Sequence, residues 1–357
     1  MISILKSSLA YRAMRFGYAN ARVKAMKDSL LSRMELNALV EAKSVQEIYG
    51  LLERTRYRED LVSSALKEKT LADQIELACA KNLSRTIQKI VKVAPEELKP
   101  KVIGLFEKYD INNIKTILAS KHISQPKDEI ENFIFAAGSI SRNTLNRMLN
   151  ANSVKEAVLG LGGTPYASVL EGKLRDYEQK KELSPLFEVL DDYYYKKLPF
   201  VLGGSYGDER IILAMVKSQV DAKNISTILR AKKQGMDGQS IMKMVIEEGS
   251  ISKEKMRGAA EAKSVEEAAR VFEKSFSLGS AIEQYKKTYS LIPIEMELEK
   301  RLAKKGLSIF RTSTLSVGAI AGFLMIKEEE INNIRKIVRA KEFNLSAEKL
   351  KEMIVEI

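Results

Sequence analysis

DINNIKTILASK at 110–121, DAKNISTILRAK at 221–232 and EINNIRKIVRAK at 330–341 are one segment written three times. The leading acids are Asp110, Asp221 and Glu330. A second motif, ending in Ser-Val, recurs with them: MELNALVEAKSVQE at 34–47, NTLNRMLNANSVKE at 143–156 and EKMRGAAEAKSVEE at 254–267. Its serines are Ser44, Ser153 and Ser264. Two independent landmarks therefore agree on one period, near 110. Solenoid repeats run to roughly 20–50 residues, so this unit is domain-sized. The expected organisation is three homologous helical domains, 1–125, 126–236 and 237–357, with breaks at Gln125–Pro126 and at the Gly235–Gly238 turn.

The repeated segment has helical periodicity: Ile111, Ile114, Ile117 and Leu118 in the first copy, Ile225, Ile228 and Leu229 in the second, and Ile331, Ile334, Ile337 and Val338 in the third. An acid at its head and Lys121, Lys232 or Lys341 at its foot suit the helix dipole, so the acid is expected to open an amphipathic helix. Asn113, Asn224 and Asn333 recur at one place. Asparagine is a poor helix former, and its recurrence predicts an amide that ties the helix to a neighbouring backbone. In the second motif, Ser44, Ser153 and Ser264 stand three residues before Glu47, Glu156 and Glu267, the pattern of a capping box. These serines read as helix starts and not as nucleophiles. Thirteen residues past each capping serine lie Tyr57, Tyr166 and, in the third copy, Ser277 beside Phe276.

Composition narrows the function classes. In 357 residues there is one cysteine, Cys79, and one histidine, His122, which excludes a disulfide framework and argues against metal knots and paired-histidine chemistry. His122 reads as a cation at a helix C-terminus. No phosphate-binding loop is present: Gly203–Gly204 lacks the strand–glycine–helix setting, and LGLGGTPY at 159–166 reads as a loosened turn. No catalytic residue, cofactor or metal ligand is expected. The formal net charge is +12, and residues 1–125 carry 22 basic against 14 acidic side chains. An anionic partner follows from this, whether an acidic protein, a membrane face or nucleic acid. The basic cluster ERTRYRED offers Arg54, Arg56, Tyr57 and Arg58, with Tyr166 as the second-copy aromatic, as candidate partner contacts. Flanking acids Glu53, Glu59 and Asp60 blunt its field and favour a protein over nucleic acid. The alternative is a basic helical scaffold that binds nucleic acid or another acidic partner. Lys6 and Arg12 interrupt the N-terminal apolar stretch, which reads as a helix start or docked arm and not as a signal peptide. The longest apolar run, Val317–Ile326, holds Gly318 and Gly322 in a GxxxG pattern; it is too short to span a bilayer and reads as a buried, closely packed helix.

The stretches YANARVKAMKDSLLSRMEL (18–36), AKSVQEIYGLLERTRYREDL (42–61), LDDYYYKKL (190–198), QVDAKNISTILRAK (219–232) and KEEEINNIRKIVRAK (327–341) resemble the C subunit of the archaeal A-type rotary ATP synthase, a relative of the d subunit of V-type ATPases. The order is kept over nearly the whole chain; RTSTLSVGAIAGF (311–323) departs by lacking the family's usual proline before the glycine-rich helix. The resemblance implies three all-helical domains in pseudo-threefold arrangement forming a funnel. It also implies a rotor subunit without catalysis, present in one copy per complex and monomeric in isolation. Its implied partners are the D and F subunits of the central stalk and the proteolipid rotor ring at the cytoplasmic face of the membrane, with neither nucleic acid nor a small-molecule substrate.

Overall fold

The computed structural model describes residues 9–65, 70–131, 133–202 and 208–355. The expectations for the extreme N-terminus and for Gly203–Gly204 fall outside those residues. Every regular element among the described residues is helical. In order they are α1 (Leu9–Met26), α2 (Arg33–Glu41), α3 (Val45–Leu52), α4 (Arg58–Ser64), α5 (Leu71–Val93), α6 (Lys99–His122), α7 (Lys127–Ile130), α8 (Arg142–Leu149), α9 (Val154–Leu159), α10 (Pro165–Lys180), α11 (Ser184–Leu202), α12 (Asp208–Lys233), α13 (Gly238–Lys243), α14 (Lys253–Glu261), α15 (Val265–Phe276), α16 (Gly279–Thr288), α17 (Ile292–Thr312), α18 (Val317–Glu342) and α19 (Ala347–Met353). Two short 3-10 turns, Lys27–Ser29 and Glu96–Leu98, complete the order. The chain divides into two compact units, one of Met1–Gly203 with Ile337–Ala347, the other of Gly204–Lys336 with Glu348–Ile357.

The sequence period is visible in the helix order. A pair of short helices (α2–α3, α8–α9, α14–α15) is followed by a third (α4, α10, α16), then a long helix (α5, α11, α17), then the helix that carries the repeated segment (α6, α12, α18). Local chemistry sets the boundaries. Ser32, Ser141 and Ser252 cap the first helix of each pair by accepting from the third amide, and Ser44, Ser153 and Ser264 do the same for the second. The glutamate half of the second cap differs from the expected box. Glu47, Glu156 and Glu267 accept from the N–H of Lys43, Asn152 and Lys263, one residue before the capping serine, at 2.7, 2.8 and 2.9 Å.

In the first unit α6 lies centrally, touching α5, α7, α8, α9 and α11. In the second, α12 holds that place against α13, α14, α15 and α17. The core of the second unit gathers Ile225, Ile228 and Leu229 with Met256, Phe272, Ile282 and Ile294. The repeated segment is the amphipathic helix its periodicity predicts, with a broad buried face: Asp110, Ile111, Asn113, Ile114, Ile117, Leu118 and Ser120 are buried in α6 while Asn112 and Thr116 are exposed.

Residues 317–327 of α18 are buried throughout, and no helix among the described residues is long and apolar enough to cross a membrane. The glycines of the GxxxG run explain the close packing. A Cβ on Gly322 would meet the backbone N of Phe310 at 2.5 Å and the carbonyl of Gly306 at 2.8 Å, so α17 and α18 approach backbone to backbone. Leu315, in the left-handed region at φ 52°, makes the sharp turn that brings α18 back onto α17.

Adding one methyl at Gly322 must push two backbones apart, at a cost of about 3 kcal/mol. The exposed helical Gly172 has nothing within 4 Å of its would-be Cβ. Thermal unfolding should therefore show Gly322→Ala well below the parent and Gly172→Ala at or above it, since alanine is the better helix former by roughly 0.5–1 kcal/mol. Equal melting temperatures for the two variants would disprove the close approach.

Candidate functional site

The residues that the sequence repeats meet around the central helices. Asp110, Asp221 and Glu330 do not open a helix, as their place in the motif leads one to expect. Each lies well inside its helix and is buried. Dipole logic weighs only the local sequence, whereas the two aspartates serve a segment nearly thirty residues away. Asp110 Oδ2 accepts from the N–H of Ser139 at 2.6 Å, the N–H of Ile140 at 3.2 Å and Ser139 Oγ at 3.0 Å. Asp221 Oδ1 accepts from the N–H of Ser250 at 2.7 Å and of Ile251 at 3.1 Å, while Ser250 Oγ donates to its Oδ2. The glycine before each serine makes room: a Cβ on Gly138 or Gly249 would collide with the Asp110 or Asp221 carboxylate.

Glu330 is built differently. Its Oε1 accepts from Lys327 Nζ at 2.5 Å, and both side chains are almost fully buried. Beside them Glu329 is pushed up to about 7 by burial, with the Lys336 ammonium pulling the other way.

The asparagines make the second tie. Asn113 Nδ2 donates to the Phe135 carbonyl at 2.8 Å. Asn224 and Asn333 close two-way bridges: Nδ2 donates to the carbonyls of Ile246 and Val355, both at 2.7 Å, and Oδ1 accepts from their N–H groups at 2.9 and 3.0 Å. In every copy the bonded residue is 22 positions downstream. Between helix and tie the chain turns the same way three times. Ser124, Gly235 and Asn344 adopt positive φ of 55°, 77° and 55°. The next residue's N–H returns to the carbonyls of Ser120, Ala231 and Ala340, a Schellman ending.

Asp110 also receives Tyr166 Oη at 3.4 Å. Burial pushes the Asp110 carboxyl up to about 6, while the Ser139 and Ile140 donors pull it back. Burial first, then the Asp110 charge, drives the Tyr166 phenol far up. Tyr57 and Tyr166 are 0% exposed, so they anchor the core and cannot meet a partner at the surface; each sits at the start of a helix whose first turn folds it inward. Arg54, Arg56 and Arg58 are exposed. His122 stands in the last turn of α6, with Nδ1 3.0 Å from Tyr177 Oη. Cys79 is buried. Among the described residues, no group of three or more His, Cys, Asp or Glu side chains could hold a metal ion.

The loop half of the aspartate tie also leaves a signal in the sequence, one that a search for helical periodicity passes over. Gly-Ser-Ile-Ser stands at 138–141 and again, one period later, at 249–252. The aspartate ties join residues on opposite sides of the expected breaks at 125–126 and 235–238.

The sequence model of the family described as ATP synthase (C/AC39) subunit matches residues 19–353. The chain is similar to the C subunit of the A-type ATP synthase of Methanocaldococcus jannaschii, 28% identical over 347 residues, covering 96% of this chain and 86% of that protein. It is likewise similar to the proteins of the same name from Methanosphaera stadtmanae, 30% identical over 348 residues (95% and 88% covered), and from Pyrococcus abyssi, 28% identical over 347 residues (96% and 90% covered).

Two variants separate the ties. Asn224→Ala strands the buried amide and carbonyl of Ile246, each worth about 1–3 kcal/mol, and should lower unfolding free energy by about 2–4 kcal/mol in a denaturant titration. A loss below the cost of one bond would show that the tie does not hold the helix. For Asp110 the sign follows from its raised pKa. The folded state keeps a proton that the unfolded chain has already released, so the contribution to stability is greatest below about pH 4 and falls as pH rises toward about 6. Asp110→Asn should flatten that fall, and an unchanged pH profile would contradict it.

Proposed function

The chain belongs to the ATP synthase (C/AC39) subunit family, and on that premise we propose that it is the non-catalytic rotor component that couples the central stalk to the membrane ring. It is an A-type ATP synthase subunit, built of helices, in a membrane-associated complex. The finer reading is that one copy per complex, monomeric when isolated, receives the foot of the D and F subunits of the stalk and sits on the proteolipid ring at the cytoplasmic face. There it transmits torque for ion-driven ATP synthesis or ATP-driven ion pumping.

The observation that carries this reading is the threefold recurrence of a long central helix with an identical Schellman ending and an asparagine tie 22 residues downstream. A part that passes rotation must not yield between its faces. Buried backbone-to-side-chain ties inside close-packed helical cores resist shear better than loops held by surface charge. The three repeats, taken as domains 1–125, 126–236 and 237–357 in pseudo-threefold arrangement, would form the funnel that accepts a coiled-coil foot on one side and a ring on the other.

Charge supplies the contact chemistry. The excess of 22 basic over 14 acidic residues in 1–125, with Arg54, Arg56 and Arg58 exposed, suits an acidic stalk surface or an anionic membrane periphery. The nucleic-acid alternative is less favoured, because the aromatic that would stack in that cluster, Tyr57, is buried.

Immobilised chain should retain purified D–F stalk complex at low salt and release it progressively as ionic strength rises, while the isolated chain hydrolyses no ATP. Failure to retain the stalk at any salt would overturn the coupling role. Salt-independent retention would overturn its electrostatic part, and duplex DNA retained with a steep salt slope would favour the alternative.

A further inference from the structure

In the second unit a cavity of about 620 Å³ opens beside Asp221, where the first unit carries different side chains at the corresponding positions. Four positions explain the difference. In the first unit they hold Glu107, Thr144, Tyr166 and Tyr193, the first three buried. Lys197 Nζ donates to both Glu107 oxygens at 2.9 Å, and Tyr193 stacks edge-on against Tyr166. In the second unit Lys305 takes the part of Lys197, and Ser218, one period after Glu107, takes the part of the acid. Lys305 Nζ donates to Ser218 Oγ and, at 2.8 Å, to the Ala214 carbonyl. Arg301 stands four positions before Lys305, as Tyr193 stands four before Lys197, and Lys255 follows Thr144 by one period. Tyr166 has no tyrosine counterpart here: Ser277 stands thirteen residues past the capping serine, and the adjacent Leu278, fully buried, has no hydroxyl to offer Asp221.

Each change removes volume or negative charge, or adds positive charge. Three cations face the cavity against one carboxylate, and Asp221 is turned into the Ser250 loop that already occupies its oxygens. Among the described residues, Lys255, Arg301 and Lys305 have no carboxylate at ion-pair distance. Lys255 Nζ donates to Ser275 Oγ at 2.8 Å, and Arg301 lies 5.3 Å over the Phe276 ring. The volume falls within the roughly 300–1,000 Å³ of small-molecule sites, far more than a halide needs.

From this we propose that the second-unit cavity is a binding site for a small phosphomonoester, its phosphoryl group held by Lys255, Arg301 and Lys305 and its organic body against Phe276. A dianion uses several cations and hydroxyl donors where a monovalent ion needs one, and guanidinium geometry matches phosphate oxygens.

Calorimetric titration of the 357-residue chain with glycerol 3-phosphate and with inorganic phosphate, and cosedimentation with vesicles containing phosphatidic acid, test this. The expected result is saturable binding of one phosphoryl group per chain, weakened at least tenfold in Ser218→Glu and in Arg301→Tyr, which restore the first-unit residues. Variant-sensitive binding confined to the vesicles identifies the source as a lipid headgroup; variant-sensitive binding of the soluble probes identifies a free phosphate. Thermal melts confirm that each variant folds, and Lys255→Thr replaces one that does not. Absence of saturable binding to all three probes, or parental affinity in the folded variants, overturns the proposal.

Discussion

Everything in this structure turns on a helix whose polar residues are spent on its own chain. A central helix packed on several sides could slide or rotate at little cost, because apolar contact has no direction. Asn224 and Asn333 remove that freedom by pairing both amide atoms with one backbone residue, and Asn113 does the same with one bond. Asp110 and Asp221 add a second fixed point at the next loop. Two points on one helix set both its rotation and its height. The Schellman ending then fixes the direction in which the chain leaves.

How much of this is legible beforehand depends on the range of each interaction. The helices, their serine caps and the asparagine amide can be read, because periodicity and capping act within a few residues and repeat three times. A local reading misplaces Asp110 because its partner, Ser139, lies a whole loop and helix further along the chain. An acid at the head of a motif simply looks like a helix start. Tyr57 sits among three arginines in sequence, yet the turn from α3 into α4 sends its ring inward and leaves Arg54, Arg56 and Arg58 outside. Neighbours in sequence there face opposite ways, which composition cannot register.

The copies have not stayed identical, and their differences follow the cost of buried charge. At Asp110 the neighbouring acid Glu107 is paired with Lys197. At Asp221 the acid has become Ser218 and the ring has gone, leaving cations around open space. At Glu330 the longer side chain pairs with Lys327 on its own helix, an ion pair in which both side chains are almost fully buried. The three copies thus differ around the buried carboxylate while the asparagine tie is present in each.

The last part of α18 connects the two ends of the sequence. Residues 337–347 belong to the first unit, and there Arg339 pairs with Glu76 at 2.6 Å and Asp73 at 3.3 Å on α5, and with Glu342 on its own helix at 2.7 Å. One guanidinium meeting three carboxylates loses less side-chain freedom per bond than three separate pairs would. The third copy of the repeated segment is therefore held by early helices of the chain and not only by its own neighbours.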